Sequence, residues 1–263
     1  MENLRFKITP SPEVEDMVRR FLPPHAEVAI SCLPATGGIS ATLATATRLS
    51  EQGYRVIPHL PARMIPSTSF LRKRLTDLTR SGIGRIIVMA GDGPQEGPYG
   101  QSLQIMEDIT EFSSRSFKLG IVGHPENHPS VADSTLYDAL LAKQYLAADL
   151  TTQLCFDPKI LRRYLQRLRN DGVQIPVWAS APCPLGRDEL IQAASRPGVG
   201  VSLHKISRPG PLSRRSFTNG KFNLTRFSVE IGPGIAGLHV NTFNRLNDLQ
   251  PSLAAFNLTG ATP

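Results

Sequence analysis

Cysteine is scarce in this sequence, and its three copies, Cys32, Cys155 and Cys183, lie far apart with no Cys-x-x-Cys pair among them. That spacing excludes a disulfide framework and makes a reducing compartment the expectation. Long apolar runs are missing as well, so no stretch reaches the roughly 20 residues a membrane-crossing helix requires. The opening MENLRFKITP has no apolar core of the kind that directs secretion. A soluble, cytoplasmic protein with no membrane partner is expected. Aromatic residues are thin at 6% and are not interleaved with the basic ones, so the net charge of +7 reads as solvated surface with some affinity for small anions. It does not read as a nucleic-acid partner. No Gly-x-Gly-x-x-Gly follows the first apolar strand, which removes the fingerprint of a doubly wound dinucleotide fold.

What is present is a full core's worth of apolar residues, 40% of 263, in strand-like runs that restart about every 20 to 35 residues. Strands are expected at 4–9, 27–33, 54–60, 85–90, 119–122, 149–156, 173–180 and 237–243. Helices are expected at 13–21, 40–52, 70–81, 103–112, 134–146, 158–171 and 187–195. The stretch 198–204 is apolar without a clear assignment, and 205–222 is basic and broken by Gly and Pro, so a long loop is expected there. Alternating strands and helices point to an α/β fold with parallel strands, taken here as one barrel domain over 1–263. Spacing by itself leaves a ring of eight strands and an open sheet both open.

Two strand exits carry the most chemistry. The run 85–90 breaks into Gly91-Asp92-Gly93-Pro94, and 119–122 breaks into Gly123-His124-Pro125-Glu126-Asn127-His128. Consecutive parallel strands put Asp92, His124 and His128 on one face. An Asp after a strand is by default a helix cap, and a helical Lys such as Lys143 is by default solvated. His59, Asp92, His124 and His128 are residue types that suit zinc, but the first strand has no His-x-His pair, and Lys7 puts a cation where a ligand would be wanted. No metal is expected.

Taken together, several strand ends resemble the methylenetetrahydrofolate reductase family. They are Pro58-His59-Leu60, then Gly91-Asp92 with Pro94, then 123–129, then Lys143 with Ala147-Ala148-Asp149 and 152–157, and finally 238–245. Five such pieces in the right order cover about 27–245. The resemblance implies a (β/α)8 TIM barrel holding FAD. It also implies hydride transfer between NAD(P)H and the methylene and methyl forms of tetrahydrofolate.

Residue by residue, the resemblance implies cofactor contacts at Ser31, His59, Gly91, Gly123, His124, His128 and Lys143, and folate contacts at Asp92, Gln153 and Arg245. The chemistry wants these types: opening the imidazolidine ring takes a proton and leaves an iminium carbon, which a carboxylate such as Asp92 stabilises while an amide such as Gln153 reads the pterin edge. The sequence also departs from the family. Lys7 stands where the first strand carries the glutamate general acid, so the catalytic set expected here is Asp92, Lys7 and Gln153. His124 replaces a tyrosine, Ala90 an arginine and Leu136 an aspartate, and these losses fall partly on the flavin side. Two functions follow. One is a reductase-like enzyme, including one running oxidatively during demethylation and assembled with itself or with a methyltransferase. The other is a folate-binding or regulatory barrel without reductase chemistry.

Overall fold

The computed structural model describes residues 4–114, 116–128, 130–194, 203, 206–207, 210–250 and 253–254. Eight parallel strands close into a ring: β1 (Leu4–Ile8), β2 (Glu27–Ile30), β3 (Arg55–Pro61), β4 (Arg85–Met89), β5 (Lys118–Gly123), β6 (Ala147–Thr152), β7 (Val177–Pro182) and β10 (Gly237–Asn241). β10 seals the barrel by pairing with β7 on one side and β1 on the other, Lys7 lying opposite Asn241. The (β/α)8 barrel expected from the sequence is the architecture observed.

Helices α1 (Val14–Phe21), α2 (Gly38–Glu51), α3 (Thr68–Arg80), α4 (Ser102–Phe112), α5 (Asp133–Lys143), α6 (Pro158–Asn170) and α7 (Arg187–Ala194) follow the first seven strands in turn. Their apolar stripes, such as Leu71, Leu75 and Leu78 on α3 or Leu161, Leu165 and Leu168 on α6, bury against the outward side chains of the strands. Caps fix where they begin. Ser67 accepts from the Phe70 amide, and Asp157 accepts from the Lys159 amide one residue ahead of Pro158.

Each strand alternates. On β1, Leu4, Phe6 and Ile8 join the core under the helices, while Arg5 and Lys7 point into the barrel. The barrel floor is ionic. Arg5 is fully buried and donates to Glu27 Oε2, Asp149 Oδ2 and Thr151 Oγ1, each at 3.2 Å. Arg85 reaches the same Asp149 oxygen at 2.5 Å, and the Arg5 guanidinium lies 4.0 Å from the centre of the Trp178 ring. Above this floor, Ala29, Ile57 and Ile87 form a small apolar cluster of their own.

Four expectations need correcting. β6 ends at Thr152 rather than at 156, because Leu154, Cys155 and Phe156 leave the sheet and bury in the core outside the barrel. β7 starts at Val177 rather than at 173, since Val173 closes α6 through its amide to Leu168 O and the strand follows Pro176. The stretch 205–222 is not loop throughout. It contains α8 (Pro211–Ser216) and a hairpin of β8 (Phe217–Thr218) and β9 (Lys221–Phe222), turned by Asn219 and Gly220, both at positive φ. Between 223 and 236, for which no element is expected above, α9 (Leu224–Ile231) is capped by Asn223 and buries Leu224, Phe227 and Ile231. The unassigned stretch 198–204 lies outside the described residues except for Leu203.

Candidate active site

The C-terminal ends of the strands form the mouth where this fold places chemistry. At the exits of β4 and β5 the chain gathers four of the expected residues. Asp92 Oδ1 lies 3.7 Å from His128 Nε2, and the His124 and His128 rings meet edge to face with centroids 5.8 Å apart. Lys143, at the end of α5, is close enough to His124 to repel its protonated form. Asp92 is open to solvent, its side chain 81% exposed, whereas His124 and His128 are half-buried. Burial pulls the His124 imidazole down to about 4, repulsion from His128 and Lys143 adds to that, and Asp92 opposes it. At neutral pH His124 is therefore a neutral hydrogen-bonding group.

Lys143 is buried and donates to Ser102 Oγ, 2.9 Å away at the start of α4. Desolvation lowers its ammonium to about 8. A buried lysine at a barrel mouth departs from the solvated default. Its charge has little water around it, which suits it to meet an anionic group.

Gln153 follows β6. Its amide N–H donates to Gly123 O at 2.6 Å, locking the two strand exits together, and its Oε1 accepts from the Leu154 amide. Ser31 follows β2 and is buried, donating to Ile8 O at 3.0 Å and sharing a 2.8 Å bond with Thr9 Oγ1. Gly91 and Gly123 have local reasons to be glycine. Gly91 has φ +92°, and a Cβ on Gly123 would come within 2.5 Å of the Tyr164 hydroxyl. Arg245, after β10, is brought onto Glu189 Oε1 at 2.7 Å and Asp248 Oδ2 at 3.4 Å, on the side of the mouth away from Asp92.

Deeper in the barrel lie Lys7, half-buried, and His59, 6% exposed. The ring of His59 stacks against that of His239, with centroids 6.2 Å apart and planes 23° apart. Burial holds both imidazoles well below their ordinary range, with Lys7 and Arg5 adding positive charge nearby. Among the described residues, His59 Nε2 and His239 Nδ1 are buried without hydrogen-bond partners. His239 and Asn241 are not among the site residues expected from the sequence. The available signal was their inward alternation on the closing strand, between Leu238 and Val240, which face the helices.

Comparison with known proteins fits this architecture. The sequence pattern of the family described as methylenetetrahydrofolate reductase matches residues 26–183, more than half of the chain. Methylenetetrahydrofolate reductase 2 of Saccharomyces cerevisiae is 25% identical over 193 residues, covering 68% of this chain and 32% of the yeast protein. The 5,10-methylenetetrahydrofolate reductase of Pectobacterium carotovorum is 28% identical over 130 residues, covering 48% of this chain and 42% of its own. The chain thus spans less than half the length of these curated relatives.

Solved structures match in fold alone. A putative phosphonomutase from Burkholderia cenocepacia superposes with a TM-score of 0.52 at 12% identity, over 98% of this chain and 92% of the other. A 2,3-dimethylmalate lyase superposes with a TM-score of 0.55 at 10% identity, over 97% and 77% of the two chains.

Proposed function

The chain belongs to the methylenetetrahydrofolate reductase family, and from that premise we propose that it is an oxidoreductase interconverting 5,10-methylenetetrahydrofolate and 5-methyltetrahydrofolate at the C-terminal mouth of its barrel. The observation that carries this reading is the group of Asp92, His124, His128 and Lys143 at the exits of β4 and β5, with Gln153 tied to Gly123 beside it.

Each side chain has a task that its surroundings support. The Asp92 carboxylate, exposed to an incoming ligand, stabilises the cationic carbon left by ring opening. His128, 3.7 Å away, orients Asp92 without saturating it. Gln153 offers its side-chain amide to the edge of the heterocycle. By the resemblance, Lys7 stands at the position of the family's glutamate, and on that reading the proton for ring opening comes from an ammonium group or from solvent. The oxidative direction needs no such donor on the way to the iminium carbon, and it suits a partner reaction that loads methyl groups onto tetrahydrofolate.

FAD is the redox group the family implies. Two buried polar groups of this chain fit it: Lys143, desolvated beside Ser102, and His59, whose Nε2 has no partner among the described residues. Lys143, His59, His124 and His128 are the residues that would hold it, and when bound it supplies the hydride. NAD(P)H is the external hydride source in the reductive direction and NAD(P)+ the acceptor in the oxidative one.

The test is spectrophotometric. Purified protein given methylenetetrahydrofolate and NADH or NADPH should oxidise the nicotinamide only when the folate is present. Folate binding with no nicotinamide consumed in either direction would favour a regulatory, non-reductase barrel.

A further inference from the structure

At the end of the barrel opposite the mouth, where the strands begin, a cavity of about 250 Å³ has Glu27, Tyr54, Arg55, Ile83, Gly84 and Arg85 on its wall. The first five strands each bring a charged residue to this end. Arg5, Glu27 and Arg55 are successive register partners across β1, β2 and β3, and Arg85 and Lys118 are partners across β4 and β5. Glu27 and the deeper Asp149 are already engaged: Arg5 lies 3.2 Å from each, and Arg85 lies 2.5 Å from Asp149 Oδ2 and 3.6 Å from Glu27 Oε1. Arg55 and Lys118 are exposed, and no carboxylate among the described residues pairs with either. This group of four cations and two carboxylates therefore carries an excess of two positive charges.

Basic side chains at the foot of a strand can serve the last carbonyls of the helix before it. Backbone amides fill that role here. Gly53 and Tyr54 donate to Ser50 O and Leu49 O at the end of α2, and Gly82 and Ile83 donate to Thr79 O and Leu78 O at the end of α3. The dipoles left at those two helix ends, about half a charge each, reduce the positive excess without cancelling it. We propose that this cavity binds a phosphate-type anion, inorganic phosphate or a small phosphate monoester, between the guanidinium groups of Arg55 and Arg85. The planar fork of an arginine matches the oxygens of a tetrahedral anion, and Arg85 uses only Nη2 in a hydrogen bond within the described chain. Glu27 also lines the cavity, and Arg5 neutralises it from the barrel side. A water takes up about 30 Å³ of liquid, so the space accepts a phosphate with a short ester attached. The site lies away from the mouth, and the inference does not depend on the folate reading.

The experiment titrates the full chain, labelled with nitrogen-15, at pH 7.5 with sodium phosphate and separately with glycerol 3-phosphate, against sodium chloride at matched ionic strength. It follows the arginine Nε–H resonances, assigned with Arg55→Lys, Arg85→Lys and Arg163→Lys. The expected result is saturable movement of the Arg55 and Arg85 signals with both phosphates and not with chloride. Tighter binding of glycerol 3-phosphate assigns the site to a monoester, and tighter binding of phosphate assigns it to the free ion. Arg55→Ala should weaken the affinity about tenfold, while Arg163→Ala, which removes an exposed arginine on α6, should leave it unchanged. A Cβ on Gly84 meets nothing nearer than Ser116 O at 4.0 Å, so Gly84→Asp adds a carboxylate to the wall and should abolish the response. The proposal is overturned by no saturable response, by an equal response to chloride, by movement at Arg163 as large as at Arg55 and Arg85, or by unchanged affinity in Arg55→Ala or in folded Gly84→Asp. No folate or nicotinamide enters the assay, so its failure and the failure of the reductase reading are separate results.

Discussion

Arg5 donates to Asp149 Oδ2 at 3.2 Å inside the barrel, where the guanidinium has no solvent exposure. A buried pair of this kind costs most when only one partner is removed, because the other charge is left without compensation. Arg5→Met leaves Asp149 and Glu27 with Arg85 as their remaining cation, so it should lower unfolding free energy by about 3 kcal/mol, the lower end for a broken buried pair. The exposed pair of Arg167 and Asp133, 2.8 Å apart, should contribute less than about 1 kcal/mol when Arg167→Met removes it. Urea denaturation of the two variants side by side measures the contrast.

His59, His239 and His124 all have imidazoles lowered by burial. Below the unfolded-state value of about 6.5 the unfolded chain binds protons that the folded chain does not. Stability is then full above that pH and falls as the solution is acidified, by up to about 1.4 kcal/mol per pH unit for each imidazole involved. For His124 the loss runs from about 6.5 down to its folded value of about 4. Melting temperatures from pH 7.5 to 4.5 should show the fall, and the double variant His59→Asn with His239→Asn should make the curve shallower throughout the range below about 6.5.

Lys143 carries a desolvation cost at neutral pH, since its ammonium is lowered to about 8. Lys143→Met should raise the melting temperature at pH 7 while weakening the binding of anionic cofactors. The stabilisation should shrink as pH rises through 8, where the wild-type lysine loses its charge in the fold. Scanning calorimetry at pH 7 and pH 9.5, with cofactor affinity measured in parallel, checks both halves.

The barrel was legible in the sequence because its strands are short apolar runs with polar exits and its helices carry strong stripes, as at Leu71, Leu75 and Leu78. Strand ends were less legible. The apolar residues Leu154 to Phe156 look like a continuing strand, yet they bury outside the sheet. The hairpin at Asn219-Gly220 had a readable turn signal that the surrounding basic residues obscured. At the mouth, adjacency along the sheet anticipated that Asp92, His124 and His128 meet. The pairing of Arg245 with Glu189 depends on a contact 56 residues apart, and the stacking of His59 on His239 needs the ring to close; neither is written in local pattern.

Asp92 tests the site without testing the fold. Its side chain is 81% exposed, so Asp92→Ala should leave the urea midpoint unchanged within error. Loss of its charge from beside the reacting carbon should lower kcat/KM for folate-dependent nicotinamide oxidation by about 10². Steady-state kinetics and denaturation on the same preparation measure both.

The central claim is that this mouth passes hydride equivalents between a nicotinamide and a folate-bound carbon. The most direct measurement follows the atom: NADH deuterated at the transferable position is incubated with the protein and methylenetetrahydrofolate, and the folate is analysed by mass spectrometry. Label exchanges with solvent if a flavin holds it between transfers, so the reaction is repeated with unlabelled NADH in deuterated water. The account predicts 5-methyltetrahydrofolate whose methyl group carries one deuterium in at least one of the two experiments. Folate recovered wholly as the methylene form in both, from protein that binds it, would contradict the account.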